Sequence, residues 1–152
     1  MSSCYVDAVR MLARRELSEA QVRQRLHRRG HSDEDIDTTI ARLLADRAID
    51  DVRVAEAIAR TETHVKRRGK LRVARQIESA GIAKATARRA VDDVFSDLDP
   101  SALLEAALAR RLRGNAQIAD EKQFQRLYRY LVSQGFEHDA VMRVLSARRK
   151  RG

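Results

Sequence analysis

Apolar residues recur at fixed distances from three glycines. Eight positions before Gly30, Gly81 and Gly135 stand Val22, Val73 and Leu127, and four before them stand Leu26, Ile77 and Leu131. Six positions after them stand Ile36, Ala87 and Val141, and ten after stand Ile40, Val91 and Leu145. Spacings of four put the two members of each pair on one helical face. Each copy therefore predicts two helices joined by a tight turn, with glycine supplying the left-handed residue that ends the first. An apolar residue follows the glycine in two copies, Ile82 and Phe136, as the contact of such a cap requires. The copies repeat after 51 and then 54 residues, the mark of a tandem array.

The flanking pattern predicts a third helix in each copy. The first runs from about Cys4 to Arg15, with Val9 and Leu12 on one side. Ser18 with Gln21 is a capping-box pattern, and Ser32 opens a helix whose acidic first turn, Asp33-Glu34-Asp35, suits the positive end of the helix dipole. Ile36, Ile40, Leu43 and Leu44 form its core face. Asp50-Asp51 open the second copy, whose first helix carries Val54, Ala55 and Ile58 and ends before Gly69. After Gly81, Ala87, Ala90, Val91 and Val94 point inward and Phe95 closes the unit. Asp99 as cap and Pro100 at the first helical position start the third copy. Leu103, Leu104, Ala107 and Leu108 stripe its first helix, which Gly114-Asn115 ends; Asp120 with Gln123 begins the next. The expectation is an all-α chain of three tandem three-helix, helix-turn-helix-like repeats: residues 1–49, 50–98 and 99–152.

Composition adds charge to this picture. The 152 residues carry 31 basic and 22 acidic side chains, a net charge of +9. Residues 1–50 hold nine of each sign, residues 51–98 eleven basic and seven acidic, and residues 99–152 eleven and six, so the surplus falls on the second and third repeats. Such a surplus suits a polyanion or an acidic protein surface. An arginine-rich composition that merely solvates many helices would show the same count. Charges interrupt every apolar run within a few residues, so neither a membrane span nor a secretory segment is expected. The single cysteine, Cys4, cannot form an internal disulfide, and a free thiol is ordinary in the cytoplasm, the expected location.

One stretch concentrates the cations. Lys66, Arg67, Arg68, Lys70, Arg72 and Arg75 follow one another with no carboxylate between Thr63 and Ile77. Cations at the end of the preceding helix are favoured by its dipole; cations at the start of the next, after Gly69, are not. Lys70 and Arg72 thus point to an anion or acidic partner from outside. Arg75 is expected to face away from the Val73/Ile77 stripe and Arg72 to flank it, both within reach of such a partner. Arg88 and Arg89, on the helix after Gly81, extend the candidate partner- or nucleic-acid-binding surface. The tail Arg148-Arg149-Lys150-Arg151 reads as a free basic end.

Catalytic and metal-binding patterns are missing. Arg68-Gly69-Lys70 is too short for a phosphate loop, which needs a second glycine. His27, His31, His64 and His138 have no ligand spacing. Asp50-Asp51 reads as a helix opening and Asp92-Asp93 as a solvated helix side, not as an acid/base pair. No enzyme, metal or cofactor is expected. Helix–turn–helix geometry also fits a DNA-binding protein with no further partner. Of the three candidate recognition helices only the one after Gly81, with Lys84, Arg88 and Arg89, suits DNA, and that weakens this reading. Aromatic content of 4% weakens a general single-strand binder, which needs stacking platforms. A passive repeat scaffold for protein partners is the remaining alternative.

Three stretches resemble the RecX family, bacterial regulators of the RecA recombinase. They are Leu12-Ala13-Arg14-Arg15-Glu16-Leu17-Ser18-Glu19 with Val22, Arg23 and Leu26; Ile49-Asp50-Asp51-Val52-Arg53-Val54-Ala55 with Arg60, Gly69, Gln76-Ile77 and Gly81-Ile82; and Arg126-Leu127-Tyr128-Arg129-Tyr130-Leu131-Val132 with Gln134-Gly135-Phe136. The family usually has aromatics where Val54 and, nearby, Ala48 stand, so the packing bulk between repeats one and two is reduced here. The resemblance implies an elongated, curved molecule that binds in the groove of the RecA–single-stranded DNA filament; a monomer is expected. It also implies limited filament growth, suppressed ATPase, strand-exchange and coprotease activities, and hence a part in recombination and the SOS response. Single-stranded DNA, and double-stranded DNA beside it, are the implied nucleic-acid partners.

Overall fold

The computed structural model describes residues 2–113 and 116–149. Among these the helices are α1 (Ser3–Arg14), α2 (Glu19–Arg28), α3 (Asp33–Ala45), α4 (Asp51–Arg60), α5 (Lys70–Ser79), α6 (Lys84–Phe95), α7 (Pro100–Leu112), α8 (Glu121–Ser133) and α9 (His138–Ala147). A π-helical turn, Thr61–Val65, prolongs α4. The predicted end of α7 at Gly114-Asn115 lies outside the described residues; α7 stops at Leu112, followed by Arg113 with φ 50°.

Local chemistry sets these boundaries. Ser18 accepts from the Gln21 amide while the Gln21 side chain accepts from the Ser18 amide, a complete capping box. Ser32 caps α3, Asp50 caps α4, Asp99 caps α7 ahead of Pro100, and Asp120 caps α8. Gly30, Gly81 and Gly135 take φ of 87°, 79° and 99°, the left-handed conformation the pattern required.

Three apolar clusters follow, one for each set of three helices. Cys4, Ala8, Met11, Val22, Leu26, Ile36, Ile40 and Leu43 fill the first. Val54, Ala55, Val73, Ile77, Val91 and Phe95 dominate the second, and Leu104, Leu108, Phe124, Leu131, Val141 and Leu145 the third. Two expected core positions prove wrong. Val9 is 42% exposed, because the buried stripe of α1 is Cys4–Ala8–Met11 and Val9 lies one helical step beyond it. Leu44 is 43% exposed for the same reason, one step past Leu43.

Consecutive units join by a repeated device: the turn of one docks on the start of the middle helix of the unit before it. Ser18, the cap of α2, donates its hydroxyl to the carbonyl of Ala80, next to Gly81. At the equivalent place Gly69, the cap of α5, donates its amide to the carbonyl of Gln134 (2.8 Å), next to Gly135. Both turn glycines are therefore tight twice over. A Cβ on Gly81 would lie 2.5 Å from that of Ala20, and one on Gly135 would strike Arg72. Gly30, in the first unit, has nothing within 4 Å of its Cβ position. The first junction is also tied by Asp51 to the Glu19 amide (2.9 Å) and by Arg53 to Glu16. It leaves a cavity of about 310 Å³ lined by Val54, Ile58, Gln21 and Ala80, where the sequence lacks an aromatic.

Candidate functional site

The basic stretch begins where α4 loosens. The wider π-helical turn carries Glu62 and Thr63 into the interior, 3% and 1% exposed. Glu62 meets Lys66 Nζ at 3.1 Å and Arg68 Nη1 at 2.7 Å. The stretch is thus not uncompensated, as the run of residues suggested. Its carboxylate stands just upstream of Thr63, and a buried acid needs such partners. Arg67, between the two, has φ 56° and projects into solvent. Here the chain reverses toward α5.

The start of α5 answers the question its cations posed. Gly69 and Leu71 donate their amides to the carbonyls of Gln134 and Gly135, at 2.8 and 3.1 Å. Arg72 Nη1 donates to the carbonyl of Ser133 at 3.1 Å. The partially negative end of α8 therefore occupies the place where an outside anion was expected. Arg72 is half-buried in this junction, and Lys70 lies 5.5 Å from the centre of the Phe95 ring. Both Arg72 and Arg75 were expected within reach of an outside partner; in the structure Arg72 is engaged within the chain. Arg75, Arg88 and Arg89 are exposed and form no ion pair among the described residues. Arg89 borders a shallow hollow with Val52 and Asp93, between α4 and α6. Of the eight candidates, Arg67, Arg75, Arg88 and Arg89 present free guanidinium groups.

The tail is not free where it is described. Arg148 reaches Glu105 at 3.4 Å, and its carbonyl accepts from the Ile118 amide at 2.8 Å. Arg149 pairs with Glu121 at 3.3 Å and lies 4.0 Å above the Phe124 ring. Lys150 and Arg151 lie outside the described residues.

Counting charge by repeat concealed a second cluster. Arg10 and Arg14 of α1 with its cap Arg15, and Arg25 and Arg28 of α2 with its cap Arg29, line one cleft of about 480 Å³. The acids that balance them in number lie elsewhere: Asp33, Glu34 and Asp35 open α3, and Glu16 and Glu19 pair with Arg53 and Arg23. Only Arg29 of the six has a carboxylate partner, Asp7 at 3.3 Å, among the described residues. Asp7 also meets His31 Nε2 at 2.7 Å, and that hydrogen bond, with the nearby arginines, holds its carboxyl below the usual range. The signal in the sequence was the four-residue spacing of Arg10/Arg14 and Arg25/Arg29, which puts each pair on one helix face.

Among the described residues no group of three or more His, Cys, Asp or Glu could hold a metal ion, and no helix is long and apolar enough to cross a membrane. The arrangement is that of a repeat protein built from three-helix units, with cationic surfaces distributed along it.

Comparison with known proteins narrows that class. Residues 4–43 match the first three-helix domain of RecX and residues 98–145 match its third. The chain is 31% identical over 145 residues to regulatory protein RecX of Acidithiobacillus ferrooxidans, covering 95% of this chain and 89% of that one. It is 29% identical over 141 residues to regulatory protein RecX of Halorhodospira halophila, covering 92% and 84%. The crystal structure of RecX from Lactobacillus salivarius superposes with a TM-score of 0.75 over 95% of both chains at 19% identity. The chain belongs to the RecX family of regulatory proteins.

Proposed function

We propose that this chain regulates homologous recombination and the SOS response by binding the RecA–single-stranded DNA filament. It restrains the filament's growth, ATPase, strand-exchange and coprotease activities. It acts as a cytoplasmic monomer through three units, residues 1–49, 50–98 and 99–152. Membership of a regulatory family over most of the chain carries this reading. Its cationic surfaces support it, because a filament bearing nucleic acid offers a line of phosphates, and a row of repeats offers a long face to follow it.

Within the second unit, Arg67, Arg75, Arg88 and Arg89 are the residues proposed to meet the filament. Lys66, Arg68, Lys70 and Arg72 shape that surface from behind through Glu62, Phe95 and the α8 carbonyls. The test is the ATPase rate of RecA on single-stranded DNA with this protein added substoichiometrically. Inhibition that weakens in the Arg67→Glu/Arg75→Glu variant, with circular dichroism unchanged, is the expected result. An unaltered ATPase rate, with salt-sensitive binding to bare DNA, would replace the filament reading by that of a DNA-binding protein without a recombinase partner.

A further inference from the structure

We infer that the arginine cleft between α1 and α2 is a binding site for the phosphodiester backbone of single-stranded nucleic acid. This deepens the proposed function by giving the first unit its own nucleic-acid contact, and it rests on that reading only for the setting in which the strand is met. Arg29, the cap of α2, reaches Asp7 near the start of α1, so the helices run antiparallel and their arginines face each other along the cleft.

Five of the six, Arg10, Arg14, Arg15, Arg25 and Arg28, form no ion pair or side-chain hydrogen bond among the described residues. The helix dipole accounts for Arg14, Arg25 and Arg28, which lie in the last turns of their helices, and for Arg15, which caps α1. Arg10, mid-helix, is attracted by Asp7 three residues before it, but neither effect accounts for the meeting of both sets in one hollow. Like charges gathered this way repel one another, and a bound polyanion relieves that repulsion. Arg23, elsewhere on α2, shows the contrast: it is held by Asp37 at 2.6 Å and by Glu19.

The chemistry of the lining selects the ligand. All six cations are arginine, whose planar fork matches phosphate oxygens bidentately. The one other lining residue is Met11, which is 8% exposed. An acidic protein partner would need apolar or aromatic anchors at the centre of its interface, and the cleft offers none. Stacking of bases needs aromatic platforms, which the cleft also lacks. What remains is contact with the backbone, independent of sequence. Arg10 and Arg14 are separated by about 6 Å of helix rise, roughly two nucleotides of a stacked strand at ~3.4 Å each.

The experiment uses the full chain, a fluorescein-labelled oligothymidylate and anisotropy over a range of salt. Replacing Arg10, Arg14 and Arg28, all exposed, by Gln is expected to weaken binding on the order of tenfold near physiological salt. It should also lower the salt slope by about 2, since each lost single-strand phosphate contact removes ~0.7. Replacing Arg126, Arg129 and Arg143 of the third unit by Gln removes the same charge elsewhere and is expected to leave the slope unchanged. Equal losses in both variants would overturn the inference, because net charge and not a site would then govern binding. So would an R10K/R14K/R28K variant whose salt slope falls as far as that of the Gln variant, since lysine loses the bidentate fork but keeps the charge that sets the slope. Poly-glutamate competing as well per charge as the oligonucleotide would reassign the cleft to an acidic protein. None of these measurements contains RecA, so a failure here leaves the filament reading to its own ATPase test.

Discussion

Gly69→Ala isolates the junction between the second and third units. Gly69 has φ −79° and ψ 166°, an extended backbone that alanine adopts without strain. Its added Cβ would nevertheless fall 2.5 Å from the Gly135 carbonyl oxygen, 2.6 Å from its carbon and 2.7 Å from the Phe136 nitrogen. These are all main-chain atoms, so no side chain can turn aside. Relief requires the α8–α9 turn to move off α5, which breaks the bonds from Gly69, Leu71 and Arg72 to the α8 carbonyls. At about 1 kcal/mol net for each of these bonds the loss is about 3 kcal/mol, and the weaker capping of α5 by alanine adds less than about 1 kcal/mol. Urea denaturation would measure the total, and amide exchange at Leu71 would locate it. Gly30→Ala is the control. Gly30 has positive φ and no neighbour at its Cβ position, so only backbone strain of about 1 kcal/mol applies. A Gly69→Ala protein within about 1 kcal/mol of the parent, with Leu71 protection intact, would refute the docking geometry.

Other consequences concern buried polar groups. Glu62→Gln leaves Lys66 and Arg68 without their carboxylate and is expected to destabilise by about 2 kcal/mol, measured in the same urea titration. Thr63 buries a hydroxyl with no hydrogen-bond partner among the described residues, so Thr63→Val is expected to stabilise by about 1 kcal/mol; a lowered melting temperature would contradict this. Asp7 has a carboxyl held down by His31 and arginines. Its contribution is therefore present above the unfolded value of 3.8 and lost as pH falls through the lower folded one. Asp7→Asn should then destabilise at pH 6 and make progressively less difference below pH 3.8 in thermal melts, whereas a pH-independent effect would oppose the assignment.

Helices, turns and caps of this protein follow from neighbours in the chain. Val22/Leu26 and their counterparts lie one turn apart, and Gly30, Gly81 and Gly135 take the backbone that excludes side chains. Ser18, Ser32, Asp50, Asp99 and Asp120 bond amides two or three residues on. Interactions of that range leave a periodic trace, so the all-α repeat architecture could be read directly. Val9 and Leu44 misled because an apolar residue next to a stripe looks the same in one dimension as one within it.

The charged surface depended on folding. Arg72 looked available because its acceptor, the Ser133 carbonyl, belongs to the following unit and is contributed by the main chain, which no composition reveals. Lys66 and Arg68 looked unpaired because a π-helical turn, not a regular helix, brings Glu62 beneath them. Over residues 1–50 equal numbers of acids and bases suggested neutrality, yet antiparallel packing of α1 on α2 put six arginines on one cleft and left the acids to α3 and the junction. Net charge is a sum and carries no positions; electrostatic attraction falls with distance, so only the packed helices decide which cations still face solvent.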